Sequence, residues 1–190
     1  LFGIPESFTV DLELIGEKYR DLQAKFHPDR FAHADEQEKL AAVQQSSYLN
    51  EAFDTLFSPI KRAAYILTLH NLDIEHVDQS ELGMDLLMEQ MQLREALDGL
   101  SKDESAMMEL SKLKAEVTGK LQQKQQSFSL DIDKGKLSMA KKRFYEMQFL
   151  TKLLKEIEIN EEQRLGYWMS LLQISEPGFE APVSTHRLAV

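Results

Sequence analysis

The chain has 190 residues, with 22 Lys or Arg against 32 Asp or Glu, so its net charge is -10. This acidic balance opposes the phosphate neutralisation on which nucleic-acid binding depends, and it makes an anionic membrane an unfavourable partner. No apolar run approaches the roughly 18 residues that cross a bilayer, and there is no cysteine for a disulfide, a thiolate metal site or a thiol nucleophile. We therefore expect a soluble, cytoplasmic protein.

Apolar residues recur every three or four positions while glycine and proline are sparse, which predicts an all-α fold. The first helix is predicted to begin at Asp11, a good N-cap residue, and to end at His27-Pro28, because proline disfavours helical geometry in the residue before it. Its apolar side comprises Leu12, Ile15, Tyr19, Leu22 and Phe26. A polar loop and a second helix should follow, forming a helical hairpin.

The second helix is predicted to carry one side made of Leu40, Val43, Ser47, Asn50, Phe53 and Phe57. Ser58 as N-cap and Pro59 at the first helical position then predict a third helix that fades near His70. We expect residues 1–70 to form one domain and residues 71–80 to be a linker.

A second domain is predicted over residues 81–168. The apolar spacing indicates a three-helix bundle with helices near residues 81–100, 103–127 and 133–159. The regular spacing of apolar residues ends at Trp168, so residues 169–190 are predicted to be a disordered tail.

The sharpest local motif is His27-Pro28-Asp29, placed between the two helices of the predicted hairpin. The helix before it carries the cations Lys18, Arg20 and Lys25, and Arg30 follows it directly. With both flanking helices predicted, the motif resembles a J domain, whose loop and basic helix dock on a DnaK-type chaperone and stimulate its ATP hydrolysis. The resemblance implies that these seven residues bind the chaperone.

Further stretches resemble the HscB family of iron-sulfur cluster assembly co-chaperones, namely Leu22-Gln23, Phe26 to Phe31, Leu40 to Ser46 and Leu87-Met88-Glu89-Gln90. The resemblance covers residues 1 to about 168. It implies an HscA-like chaperone as one partner and an IscU-like scaffold protein, bound by the C-terminal bundle, as the other. It also implies a co-chaperone with neither catalytic residues nor a cofactor. Some eukaryotic members carry a Cys-rich metal site, so this cysteine-free chain is expected to be of the bacterial type.

The helix near residues 81–100 has two apolar stripes on nearly opposite sides. Leu86, Leu93, Leu97 and Leu100 form one stripe, and Met84, Leu87, Met88 and Met91, continued by Glu95, form the other. Since one stripe is enough for a bundle core, the Met-rich stripe is either a partner surface or a second buried contact. Periodicity alone leaves both alternatives open.

The last helix has a core seam of Leu137, Ala140, Phe144, Met147 and Leu154, while Tyr145 and Phe149 point elsewhere. The HscB resemblance assigns scaffold binding to Leu87, Met88, Met91, Gln92, Glu95 and Phe149. Gln92 departs from the acidic residue expected there, which weakens the electrostatic part of the assignment.

Other classes of protein find less support in the sequence. There is no Gly-rich phosphate loop or G-x-S-x-G motif, and no histidine is preceded by Glu at the spacing of a di-metal bundle. His70 and His76 lack a third metal ligand, so no metal site is predicted. The main alternative is a general helical interaction module with an incidental His-Pro-Asp, which burial of His27 and Asp29 would favour.

Both ends of the sequence carry expectations of their own. The start at Leu1 suggests that a few residues are missing there. Residues 169–190 resemble the opening of the HscA-type chaperone, which suggests two joined reading frames that a native product ending near Trp168 would contradict.

Overall fold

The computed structural model describes residues 1–76, 83–101 and 105–174. Within these ranges the chain forms α-helices and one short 3-10 turn, and it contains no strand. The helices are α1 (Leu12–Phe26), α2 (Glu36–Phe57), α3 (Pro59–Leu69), α4 (Met84–Asp98), α5 (Ser105–Asp133) and α6 (Leu137–Ile174), and the 3-10 turn is Pro28–Phe31. The predicted all-α fold is confirmed.

The first two helices form the predicted hairpin. The carboxylate of Asp11 accepts a hydrogen bond of 3.0 Å from the backbone N–H of Leu14, so α1 begins with the expected N-cap. Tyr19 stacks on Phe53 of α2 at a centroid distance of 4.1 Å. Because a nine-residue connection joins these packed helices, they run antiparallel.

The core side of α2 differs from the predicted one. Ala42 and Leu49 are its buried residues, whereas Leu40 and Val43 are more than half exposed. The short side chain of Ala42 belongs to the core because it lies seven residues before Leu49, on the same face of the helix. The apolar period of this helix therefore gave the wrong side, since only Phe53 of the six predicted residues is partly buried and the others are exposed, namely Leu40, Val43, Ser47, Asn50 and Phe57.

The N-terminal residues before α1 also join the core, although they follow no helical period. Phe2 and Phe8 are buried. Arg62 of α3 is buried too, and its guanidinium donates to the carbonyl oxygens of Leu56 at 2.9 Å and Phe8 at 2.5 Å. Burial lowers the pKa of this guanidinium. The arginine thus holds the N-terminal segment against α3.

The two predicted domains share a hydrophobic cluster. Phe8 contacts Phe128 of α5 edge to face at 4.8 Å, and Ala63, Ile66 and Leu67 of α3 lie in the same cluster as Phe144 of α6. Within the predicted linker, Leu72 and Ile74 pack against this cluster. Residues 71–76 are therefore docked on the bundle, and residues 77–80 lie outside the described ranges.

Tyr145 was predicted to point away from the core, and this was wrong. The residue is buried in the shared cluster, and its hydroxyl lies 3.5 Å from the carbonyl oxygen of Ile74 and 3.4 Å from that of His76. The core of α6 is wider than one seam because a second helical unit packs against it.

The turn between α5 and α6 lies several residues later than predicted. Gly135 has a φ of 65°, and the N–H of Lys136 donates to the carbonyl of Asp131 at 2.8 Å, which is a glycine-terminated helix end. The last helix then continues through residues 169–174, where the sequence predicted the start of a disordered tail. Its Met-Ser-Leu-Leu-Gln-Ile sequence contains no helix breaker. Residues 175–190 of that tail lie outside the described part of the chain.

Candidate functional site

The His-Pro-Asp tripeptide lies on an exposed loop between α1 and α2. The side chains of His27 and Asp29 are 50% and 90% exposed. Pro28 opens the 3-10 turn, the N–H of Asp29 donates to Nδ1 of His27 at 3.3 Å, and the N–H of Arg30 donates to the carbonyl of His27 at 3.0 Å. The motif is exposed and lies outside α1 and α2. Burial of His27 and Asp29, which would have favoured an incidental tripeptide, is not observed.

The four predicted cations do not form one continuous surface. Lys18 and Lys25 are seven residues apart and share a flank of α1, whereas Arg20 lies about 150° around the helix from them. Lys18 donates from Nζ to the carbonyl of Phe2 at 2.7 Å, so its ammonium is engaged inside the protein. Arg30 donates from Nη1 to the carbonyl of Ala24 at 2.9 Å, on the flank that carries Arg20. Arg30 therefore lies beside the loop. Arg20 shares that flank, but its guanidinium lies near Gly16, one turn further from the loop, and Lys25 is on the other flank.

A second exposed surface lies on α4. Leu86, Leu93 and Leu97 are buried, while Met84, Met88 and Met91 are 71%, 53% and 62% exposed. Gln92 and Glu95 are also exposed, and Leu87 is half-buried at the edge. We call Met84, Leu87, Met88, Met91, Gln92 and Glu95 the α4 surface. Of the two alternatives left open by periodicity, the structure shows the exposed one.

Ion pairs on both flanks of α4 keep this surface outward. Glu89 accepts from Nζ of Lys120 of α5 at 2.6 Å, and Arg94 pairs with Glu156 of α6. The hydrogen bond that Lys120 donates to Glu89 raises the pKa of Lys120, with a smaller contribution from Glu116. These two attachments are on opposite sides of the leucine stripe, so they resist rotation of α4 about its axis. No sequence pattern predicts these ion pairs, because each joins residues more than 30 positions apart.

Phe149 lies beneath α4 and not on its open face. It is half-buried, packs against the core cluster that contains Leu93 and Leu97, and lines a small cleft with Leu86 and Leu150. Only part of this ring is therefore available to a partner. Met84, by contrast, was absent from the predicted site residues and is the most exposed member of the stripe. Met84 lies seven residues before Met91, and this spacing in the sequence places both on the same face of the helix.

The histidines near the predicted linker have separate acidic partners. Nε2 of His70 lies 2.8 Å from a carboxylate oxygen of Glu6, and Nδ1 of His76 lies 2.9 Å from one of Asp73. The described residues include no group of three or more His, Cys, Asp or Glu that could hold a metal ion. No helix within the described ranges is long and apolar enough to cross a membrane.

Comparisons with known proteins decide the family. A family model described as the HSCB C-terminal oligomerisation domain matches residues 82–158. The co-chaperone protein HscB homolog of Vibrio vulnificus is 36% identical over 166 residues, which cover 87% of this chain and 97% of that protein. The chain belongs to the HscB co-chaperone family.

Solved HscB structures have the same architecture as this chain. The chaperone HscB from Vibrio cholerae matches with a TM-score of 0.77 at 33% identity, over 85% of this chain and 95% of that one. The human co-chaperone protein HscB matches with a TM-score of 0.78 at 26% identity, over 85% of this chain and 80% of that one. The fold is thus an N-terminal J domain followed by the C-terminal helical bundle of HscB proteins, and the α4 surface and Phe149 lie within the matched C-terminal domain.

Proposed function

We propose that this protein is a cytoplasmic co-chaperone in iron-sulfur cluster assembly, with two partners and no chemistry of its own. Its His-Pro-Asp loop binds a DnaK-type chaperone and stimulates ATP hydrolysis there. Its α4 surface binds the cluster scaffold protein and delivers it to that chaperone, promoting cluster transfer. The observation that carries the proposal is the 90% exposed carboxylate of Asp29, held on a short turn between two packed helices.

The loop supports the first part of the proposal. An exposed carboxylate can accept a charge-assisted, bidentate hydrogen bond from an arginine of a partner, and such pairs are stronger than neutral ones. Arg30 lies beside it, Arg20 is exposed further along the same flank of α1, and Lys25 is exposed on the other flank. In a chain of net charge -10 this local cationic region favours an acidic partner surface and sets the docking orientation.

The α4 surface supports the second part. Three exposed methionines within eight residues are unusual on a free protein surface. Methionine has three rotatable bonds and a polarizable sulfur, so such a surface adapts to a protein partner. Glu95 adds one charge at the end of the stripe, which can contribute orientation more than affinity.

The shared core supports the coupling of the two activities. Phe8, α3 and α6 contribute to one cluster, so the loop and the α4 surface belong to one packed body. A scaffold protein held on α4 would therefore stay near a chaperone held at the loop, which raises its effective concentration there.

The test is single-turnover ATP hydrolysis by the cognate DnaK-type chaperone, with wild-type protein and with Asp29→Asn. Loss of the charge should reduce stimulation by at least about tenfold, because one partner of a charge-assisted pair is removed. Asp133→Asn makes the same chemical change at the exposed end of α5 and should stimulate like the wild type.

Each outcome separates the alternatives. Stimulation that is lost in Asp29→Asn and enhanced by the scaffold supports the full proposal. Stimulation without any effect of the scaffold would indicate a J protein with a different client. No stimulation by the intact protein would contradict the chaperone-binding role.

A further inference from the structure

We propose that Arg30 is a positioning residue, which orders the His-Pro-Asp loop by supplying a hydrogen bond that Pro28 cannot make. The consequence for the chaperone rests on the proposed function. The contact itself is a property of the free chain and can be tested without any partner.

The backbone pattern of α1 creates the need for this contact. In an α-helix the carbonyl of residue i accepts from the N–H of residue i+4. The residue four positions after Ala24 is Pro28, which has no N–H, so the carbonyl of Ala24 loses its helical donor. Nη1 of Arg30 occupies that role, at 2.9 Å from the Ala24 oxygen.

Arg30 closes the loop with its backbone as well. Its N–H donates to the carbonyl of His27 at 3.0 Å, which forms the first bond of the 3-10 turn. The side chain and the main chain of one residue therefore tie the turn to the last turn of α1. Pro28 fixes φ between these two attachments.

The same geometry leaves Asp29 available. The guanidinium of Arg30 is turned back onto α1, and among the described residues Arg30 forms no ion pair with its neighbour Asp29. Within the described ranges, the side-chain atom in ion-pair range of the Asp29 carboxylate is Nδ1 of His27, at 3.6 Å. Arg30 thus stabilises the conformation of the loop without neutralising the carboxylate that the partner would bind.

Removal of this bond should lower the fraction of molecules with an ordered loop. Apparent affinity falls in proportion to that fraction, while the saturated activity is unchanged. Loss of one hydrogen bond at an exposed site should raise the half-maximal concentration for ATPase stimulation by about twofold to tenfold.

The first arm of the test uses the free protein and nuclear magnetic resonance. The carbonyl carbon shift of Ala24 and the hydrogen-exchange rate of the Asp29 amide are compared in wild type, Arg30→Ala, Arg30→Lys and Arg20→Ala. Arg30→Ala should move the carbonyl shift and speed exchange, and Arg30→Lys should recover most of both, since its ammonium can donate to the same oxygen. Arg20→Ala removes an equal charge from the same flank and should leave both signals unchanged.

The second arm titrates each variant against the DnaK-type chaperone. Arg30→Ala should raise the half-maximal concentration with the maximum retained, and Arg30→Lys should return it towards the wild-type value. Unchanged loop signals in free Arg30→Ala would overturn the positioning role, whatever the ATPase shows. Absence of stimulation by the wild type would instead contradict the proposed function and leave the first arm intact.

Discussion

The two candidate surfaces of this protein are built in different ways. The His-Pro-Asp loop is local, since His27, Pro28, Asp29 and the bonds that shape them lie within a few residues of one another. The α4 surface is made of every third or fourth residue of a helix, and it is a surface only because α5 and α6 cover the opposite stripe. A short motif can therefore be recognised in a sequence, whereas an exposed helix face needs the neighbouring helices to be known.

The largest expected effect tests whether the two regions unfold separately or together, and it concerns Phe8, which joins them. Phe8 is buried between Arg62 and Phe128, so Phe8→Ala should cost about 3–5 kcal/mol of unfolding free energy. The loss should extend to the hairpin and the bundle together. Urea-dependent hydrogen exchange at the Leu49 and Leu153 amides reports on each region.

The control is Phe57→Ala, in which the deleted ring is 51% exposed and stacks on Phe53 of the same helix. It should cost clearly less than Phe8→Ala. If Phe8→Ala weakens protection at Leu49 and leaves Leu153 unchanged, the two regions do not share a cooperative core.

A smaller effect tests the turn between α5 and α6, by comparing a glycine in the turn with a glycine inside the helix. Gly135 has a φ of 65°, so Gly135→Ala should destabilise the protein by about 1–2 kcal/mol. Gly119 lies inside α5, and an added Cβ there meets nothing within 4 Å. Gly119→Ala should therefore stabilise by about 0.5–1 kcal/mol through helix propensity. Urea denaturation midpoints measure both, and equal signs for the two substitutions would refute this account of the α5–α6 turn.

The sequence was sufficient where structure is local. The Asp11 cap, the end of α1 before Pro28 and the Ser58-Pro59 start of α3 are confirmed, because each depends on residues within one helical turn. It failed where the decisive contact is distant. The burial of Phe8 and Tyr145 and the exposure of Leu40 depend on helices far away in the chain.

The same distinction applies to the candidate site. The exposed loop followed from the motif and its flanking helices, whereas the engagement of Lys18 with the carbonyl of Phe2 could not be predicted from charge alone. The bundle boundaries shifted because the sequence-based α5 stopped near Ser127, short of the turn that the left-handed conformation of Gly135 defines.

The most direct test of the central claim is whether the two surfaces act separately in one reaction. We would measure single-turnover ATP hydrolysis by the chaperone with Met91→Asp, with and without the scaffold protein. Met139→Asp, on an exposed part of α6, is the matched control. The account predicts that, without the scaffold, Met91→Asp stimulates ATP hydrolysis as the wild type does. With the scaffold it should lose the enhancement, because the scaffold binds roughly tenfold more weakly. Full scaffold enhancement in Met91→Asp would contradict the α4 surface as the scaffold contact.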